Sequence, residues 1–211
     1  MNLSKRAPQT HGRNVFSGPV ATADVLDDCP DAVVFPPLYQ HFGGRLSFHG
    51  PCVLVECFED NSKVKALLES DGRCPTTGLS QVLLVNGQGS KKCALLGDQI
   101  ATKAQNNGWA GVVIAGCVRD VAILQTLALG VMAYGATPRK SVRQNKGEIN
   151  PPGFQLHDFA IHPGNFVYAD VDGIVIYPKP LELHVDRYAL FLISFVARPQ
   201  IRVVFVVLAP H

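Results

Sequence analysis

The chain has 211 residues, 47% of them hydrophobic and 17% charged, with a formal net charge of +2. That balance excludes a disordered chain, which would have too little apolar surface to offset the entropy of ordering. Lys and Arg are scattered and form no basic stripe, so no direct nucleic-acid binding is expected.

The first twenty residues, "MNLSKRAPQTHGRNVFSGPV", are basic and lack the apolar run of a secretory signal. They are expected to form a flexible N-terminal extension, with a weak organelle-transit segment as the other reading. "LYQHFGGRLSFHGPCVLVECFED" predicts a turn at Gly43-Gly44 followed by short β segments. "NSKVKALLES" has helical spacing at Val64, Leu67 and Leu68, with an Asn/Ser start and a stop at "DGR". "QVLLVNGQG" is a continuous apolar run entering a Gly loop, the pattern of a buried strand.

A β/α alternation follows. "DQIATKAQNNG" predicts a short helix with Asp98 at its cap and Gly108 after its end. "AGVVIAG" predicts a buried strand, and "RDVAILQTLALG" a second helix with Asp120 near its start and Gly130 as its stop. "VMAYGATP" predicts another strand, and "NFVYADVDGIVIYP" two strands joined at Asp172-Gly173. Strands separated by short helices make the chain an α/β fold with some parallel pairing. The last segment, "YALFLISFVARPQIRVVFVVLAPH", is very apolar, but Arg198, Pro199 and Arg202 divide it into pieces too short to span a bilayer. Two strands about a turn, a partner-binding segment and a membrane-surface segment all fit it. Six cysteines (Cys29, Cys52, Cys57, Cys74, Cys93, Cys117) form no CxxC pair, and several sit in apolar runs. They are expected to be reduced core residues in a reducing compartment.

Asp98 and the pair Arg119-Asp120 each fall where a strand hands over to a helix. In open α/β folds ligands bind beyond the carboxyl ends of strands. Helix N-termini offer N–H groups to anions, and an Arg can grip a carboxylate in bidentate fashion. Mg²⁺ is often held by only one or two protein carboxylates, with water and substrate oxygens completing the octahedron. These three residues are therefore candidates for a sparse metal site that takes a small oxo-acid. The same residues also fit two ordinary helix caps, each stabilising by about 1 kcal/mol, and a solvated ion pair worth little. His157 and His162 flank a Pro/Gly turn and fit packing or surface roles better than a metal pair. "GQGS" at Gly87–Ser90 lacks the endings of a phosphate loop or dinucleotide site.

The blocks "FGGRLSFHGPCVLVECFEDN", "LLVNGQGSKKCALLGDQIA", "NNGWAGVVIAGCVRDVAILQTLALGVMAYGATPRK" and "NFVYADVDGIVIYP", in that order, resemble the family of regulator of ribonuclease activity A. That family includes the class II 4-hydroxy-4-methyl-2-oxoglutarate aldolases, and some members carry an older label as demethylmenaquinone methyltransferases. The resemblance implies an α/β fold with a swivelling β/β/α domain over 21–185. It leaves the extension 1–20 and the apolar tail 186–211 outside. It also implies a homotrimer or hexamer in the cytoplasm, with sites at subunit interfaces.

The aldolase members share an Asp, twenty residues, then Arg-Asp, and Asp98 and Arg119-Asp120 match it. The resemblance then implies Asp120 as the direct ligand of Mg²⁺ or Mn²⁺, and Arg119 on the substrate's carboxylate or oxo group. Asp98 would act through metal-bound water, and backbone N–H groups of Gly97, Asp98, Gln99 and Ile100 would hold the pyruvate carboxylate. Two positions depart from the aldolase pattern: Ile123, where an acid is common, and Asn165, in "PGN" where the family has "PGD". The implied activity is cleavage of 4-hydroxy-4-methyl-2-oxoglutarate or a similar 2-oxo acid to pyruvate, with oxaloacetate decarboxylation alongside. The alternative is a non-catalytic regulator that binds a ribonuclease or RNA helicase assembly.

Overall fold

The computed structural model describes residues 20–181, so the apolar tail 186–211 and nearly all of the N-terminal extension lie outside the described residues. In chain order the elements are α1 (Thr22–Asp28), β1 (Val33–Val34), β2 (Gln40–His41), β3 (Phe48–Glu56), α2 (Ser62–Leu68), β4 (Val82–Asn86), β5 (Ala94–Leu96), α3 (Asp98–Asn106), β6 (Gly111–Val118), α4 (Val121–Leu124), β7 (Gly130–Ala136), β8 (Glu148–Ile149), β9 (Gln155–Leu156), β10 (Phe159–Ala160), β11 (Phe166–Ala169) and β12 (Ile174–Tyr177).

The parallel heart of the sheet is β3-β4-β6-β7. Its strands are apolar on both faces because both faces are covered. Val53, Val55, Leu83, Val85, Val112, Ile114, Val131 and Ala133 face the helices, where they meet Val64 and Leu68 of α2 and Ile100 and Ala104 of α3. The alternate residues Cys52, Leu54, Val82, Leu84, Val113, Ala115 and Met132 pack with Phe35, Phe154, Ile161, Val167 and Ile176. The second cluster draws on the antiparallel strands β1, β12 and β11, so the sheet curls over its own inner face. Each buried Leu, Ile or Val stabilises by roughly 1.5–3 kcal/mol. The fold is thus mixed α/β, as the alternating pattern predicted.

Two local expectations change. The short segments expected after Gly43-Gly44 are one nine-residue strand, β3. Between Pro51 and Cys52, β3 changes partner. Phe48 to Pro51 pair antiparallel with β11, and Cys52 to Glu56 pair parallel with β4.

The helix expected up to Gly130 stops at Leu124, and Gly130 begins β7. The carbonyls of Leu127 and Leu129 do not continue a helix; they accept the N–H groups of Gly44 and Arg45. A Cβ on Gly44 would lie 2.6 Å from Leu127 O, so glycine there permits this close approach. Gly130 and Gly111 make room for one aromatic ring. A Cβ on Gly130 would lie 2.0 Å from Phe48 Cδ1, and one on Gly111 2.4 Å from Phe48 Cδ2.

The register of β5 on β6 sets up the candidate site. Leu96 pairs with Val118, and Arg119 N–H donates to Leu96 O at 3.0 Å. The next residues on each strand, Gly97-Asp98 and Arg119-Asp120, therefore leave the sheet side by side. No helix among the described residues is long and apolar enough to cross a membrane.

Candidate functional site

Gly97 is the N-cap of α3, and Asp98 is its first helical residue rather than its cap. Asp98 Oδ1 accepts the neighbouring Gln99 N–H at 2.7 Å. Asp120 is the N-cap of α4, yet its side chain makes no capping bond to that helix. Its backbone is left-handed, with φ 58° and ψ 40°, a conformation few non-glycine residues adopt. Its carboxylate reaches instead to the start of α3. Oδ2 accepts Asp98 N–H at 3.3 Å and lies 3.3 Å from Arg119 Nε. Backbone strain of this kind clusters at functional sites.

Gly97 is required by this arrangement. A Cβ there would sit 2.7 Å from Asp120 Oδ2 and 2.9 Å from Arg119 Nε. Among the described residues, Asp120 Oδ1, Asp98 Oδ2 and the two terminal Arg119 nitrogens take no hydrogen-bond or ion-pair partner. Two carboxylates with open oxygens and a nearby guanidinium suit a hard cation completed by water and substrate oxygens. No three His, Cys, Asp or Glu side chains converge among the described residues. A cation here would therefore rest on one or two carboxylates.

Gly97, Asp98 and Arg119 line a cleft of about 610 Å³, together with Gln99 and Ile100. Its lining also includes Asn61 and a strap, Lys140, Ser141, Val142, Arg143 and Gln144. The cleft thus brings three cations, Arg119, Lys140 and Arg143, to one opening, a potential that suits a dianion. Sequence reading had missed the strap. Its ties are long-range: Ala94 N–H donates to Arg139 O at 2.8 Å, and Gln144 N–H to Asp60 Oδ2 at 2.6 Å.

Asp60 is fully buried, and its Oδ1 also takes Ser62 N–H at 2.7 Å. Burial pushes its carboxyl up, but hydrogen bonds from Ser62, Gln144 and Lys146 outweigh it and hold the pKa below its ordinary value.

Of the four expected carboxylate-holding N–H groups, those of Asp98 and Gln99 are engaged by the protein's own carboxylates. The Asp98 bond, at 3.3 Å, is at the long end for an N–H to a carboxylate. The histidines are elsewhere. His157 Nε2 lies 2.9 Å from Tyr39 OH and 3.1 Å from Tyr134 OH, and burial lowers its pKa. His162 N–H donates to Asn165 Oδ1 at 2.9 Å, so Asn165 closes a turn. Ile123 is exposed on α4. Ser90 of the Gly-rich loop donates to Glu59 Oε1 at 2.8 Å. All six cysteines are free thiols, four of them buried.

The family description Aldolase/RraA matches residues 10–176. A protein of Xanthomonas campestris pv. campestris (strain B100), provisionally named a 4-hydroxy-4-methyl-2-oxoglutarate aldolase, is 46% identical over 164 residues, 78% of this chain and 95% of its own. The solved RNA-processing inhibitor RraA from Thermus thermophilis is 38% identical, with a TM-score of 0.72, over 79% of this chain and 97% of its own. A Geobacillus kaustophilus HTA426 structure titled S-adenosylmethionine: 2-dimethylmenaquinone methyltransferase is 40% identical, with a TM-score of 0.69, over 77% of this chain and 97% of its own. The fold, the four ordered blocks and the extent of these matches agree: the chain belongs to the Aldolase/RraA family.

Proposed function

We propose that the chain is a divalent-metal-dependent class II pyruvate aldolase. It cleaves 4-hydroxy-4-methyl-2-oxoglutarate or similar 4-hydroxy-2-oxo acids to pyruvate and decarboxylates oxaloacetate at the same site. One observation carries the reading: Asp120 turns its carboxylate away from its own helix and toward Asp98 and Arg119, two residues that line a cleft together with Lys140 and Arg143. A cap has no need of that geometry. The aldolase name of the Xanthomonas relative supports it.

Both reactions break the bond between C3 and C4 and leave its electrons on a pyruvate enolate. Mg²⁺ or Mn²⁺ held by Asp120 would supply a Lewis acid for that charge. Arg119 turns its unpaired nitrogens to the substrate's carboxylate and oxo oxygens, adding fixed positive potential where charge develops. The N–H groups of the Gly97 to Ile100 turn hold the carboxylate at the pyruvate end. Asp98, with one open oxygen, orients the acceptor of the 4-hydroxyl proton. The enolate then takes a proton at C3 and leaves as pyruvate. The second product is an oxo-acid from the aldol substrate, or CO₂ from oxaloacetate. The active form is a homotrimer or hexamer, checked by light scattering.

The test is pyruvate release from 4-hydroxy-4-methyl-2-oxoglutarate and from oxaloacetate, with Mg²⁺, with Mn²⁺ and with chelator. Release from both that chelator abolishes is expected. Release from neither would favour the second reading, a non-catalytic regulator of a ribonuclease or helicase assembly. The likeness to the Thermus RNA-processing inhibitor supports that reading.

A further inference from the structure

Two exposed cations of the strap, Lys140 and Arg143, line the same cleft as Arg119. Among the described residues, neither side chain takes a hydrogen-bond or ion-pair partner. The lining carries a single acid, Asp98, against these three cations. The backbone beneath both strap cations is pinned to the body of the domain. Val142 N–H donates to Glu59 O at 3.3 Å, and Gln144 N–H to Asp60 Oδ2 at 2.6 Å, so both neighbours of Arg143 are held. The anchor Asp60 is itself fully buried. Lys140 bridges Ala94, whose N–H donates to Arg139 O at 2.8 Å.

The proposed chemistry engages Arg119, the Gly97 to Ile100 N–H groups and the metal at the 2-oxo end of the substrate. It leaves the strap cations unused and the substrate's other carboxylate without a partner. We infer that Lys140 and Arg143 form the subsite for that second carboxylate, the one on C4 of a 4-hydroxy-2-oxo diacid. The subsite selects dicarboxylic over monocarboxylic 4-hydroxy-2-oxo acids. The inference rests on the proposed aldolase reading and names the residues that set its substrate class. Arg143 offers a planar fork that matches a carboxylate, and Lys140 a point charge. A lone exposed ion pair is worth little, but cations of one sign gathered in a cleft raise the local potential together. On cleavage this carboxylate departs with the second product, still charged. Its contacts are the same in substrate and transition state, so their loss raises KM and leaves kcat nearly unchanged.

The experiment compares 4-hydroxy-2-oxoglutarate with 4-hydroxy-2-oxopentanoate, which has a methyl group in place of the second carboxylate. Wild type is expected to prefer the diacid in kcat/KM by at least about 100-fold. In Arg143→Gln the preference should shrink at least about tenfold, through a higher KM for the diacid. Lys140→Gln should shrink it by a smaller factor. A preference unchanged in both variants, equal losses on both substrates included, overturns the inference. A wild type that shows no preference overturns it as well.

A binding measurement on wild type needs neither a variant nor turnover. 2-Oxoglutarate and 2-oxopentanoate differ only in carrying a carboxylate or a methyl group at the distal end. Calorimetry of the full chain with Mg²⁺ should show the diacid bound at least about tenfold more tightly. Equal affinities, or binding of neither, overturn the inference. Pyruvate release from no substrate, with the diacid preference in binding intact, sinks the aldolase reading and leaves the subsite standing.

Discussion

The backbone N–H of Asp98 meets the carboxylate of Asp120 at 3.3 Å, across twenty-two positions of sequence. That contact ties together two helix starts that would otherwise be independent, and it makes the two acids unequal. Asp120→Asn is expected to fold normally, because Asn tolerates the left-handed backbone at φ 58°; stability should change by less than about 0.5 kcal/mol. Its metal affinity should fall at least about tenfold, since a neutral oxygen replaces a charged ligand. Asp98→Asn should bind metal almost as wild type does and turn over roughly 100-fold more slowly. Metal titration by calorimetry, paired with oxaloacetate decarboxylation rates, separates them. Unchanged rates in both variants would return the two acids to ordinary helix-end roles.

Gly97→Ala probes the same contact from the other side. The new methyl would meet Asp120 Oδ2 at 2.7 Å and Arg119 Nε at 2.9 Å, both on side chains that can swing away. Gly97 has an extended backbone at φ −138°, which alanine adopts without strain. The melting temperature should therefore move by only a few degrees, while activity falls about 100-fold through misplacement of the pair. Wild-type turnover in this variant would count against the site.

Arg119→Lys keeps the charge and removes the planar fork and the Nε contact to Asp120. The side chain is partly exposed, so folding stability should hardly change. A kcat reduced by about 100-fold or more is expected, since the fork acts on charge that develops in the transition state. Steady-state kinetics with oxaloacetate decide the point, and near-normal kcat would remove Arg119 from the chemistry.

The buried Asp60 predicts an acid limit for the strap. Its folded pKa lies below the ordinary 3.8, so the carboxylate stabilises the fold above that value. The contribution is lost as pH falls from there through the lowered folded value. Asp60→Asn should cost about 1–3 kcal/mol at neutral pH, because one of the N–H groups of Ser62 and Gln144 would face an amide donor. Urea unfolding of both proteins at about pH 7 and about pH 3 should show the gap closing in acid. A gap that stays constant would show that Asp60 is not charged in the fold.

The central strands were legible because Leu83 to Val85 and Val112 to Ile114 are buried on both faces, which demands unbroken apolar runs. Asp98 and Arg119-Asp120 were candidates for one site from their places at two strand-to-helix handovers and then from the family resemblance, but the β5-β6 register that sets them side by side leaves no mark on spacing. The early end of α4 was hidden for a similar reason. Residues 119–130 have good helical periodicity, but the carbonyls of Leu127 and Leu129 are claimed by Gly44 and Arg45, some eighty residues earlier in the chain. The strap at 140–144 offers no local pattern, since it is held by Asp60, Asn61 and Ala94 rather than by its own sequence.

Phe48, Gly111 and Gly130 occupy one volume between them: the ring stands where two β-carbons would otherwise be. Any single step away from this arrangement is penalised. A side chain at either glycine collides with the ring, and a smaller residue at 48 leaves a void costing about 3–5 kcal/mol. A double change, with a small residue at 48 and alanine at 130, fills the space again. In a lineage these three positions should therefore drift as a linked set, with long stasis broken by paired replacements.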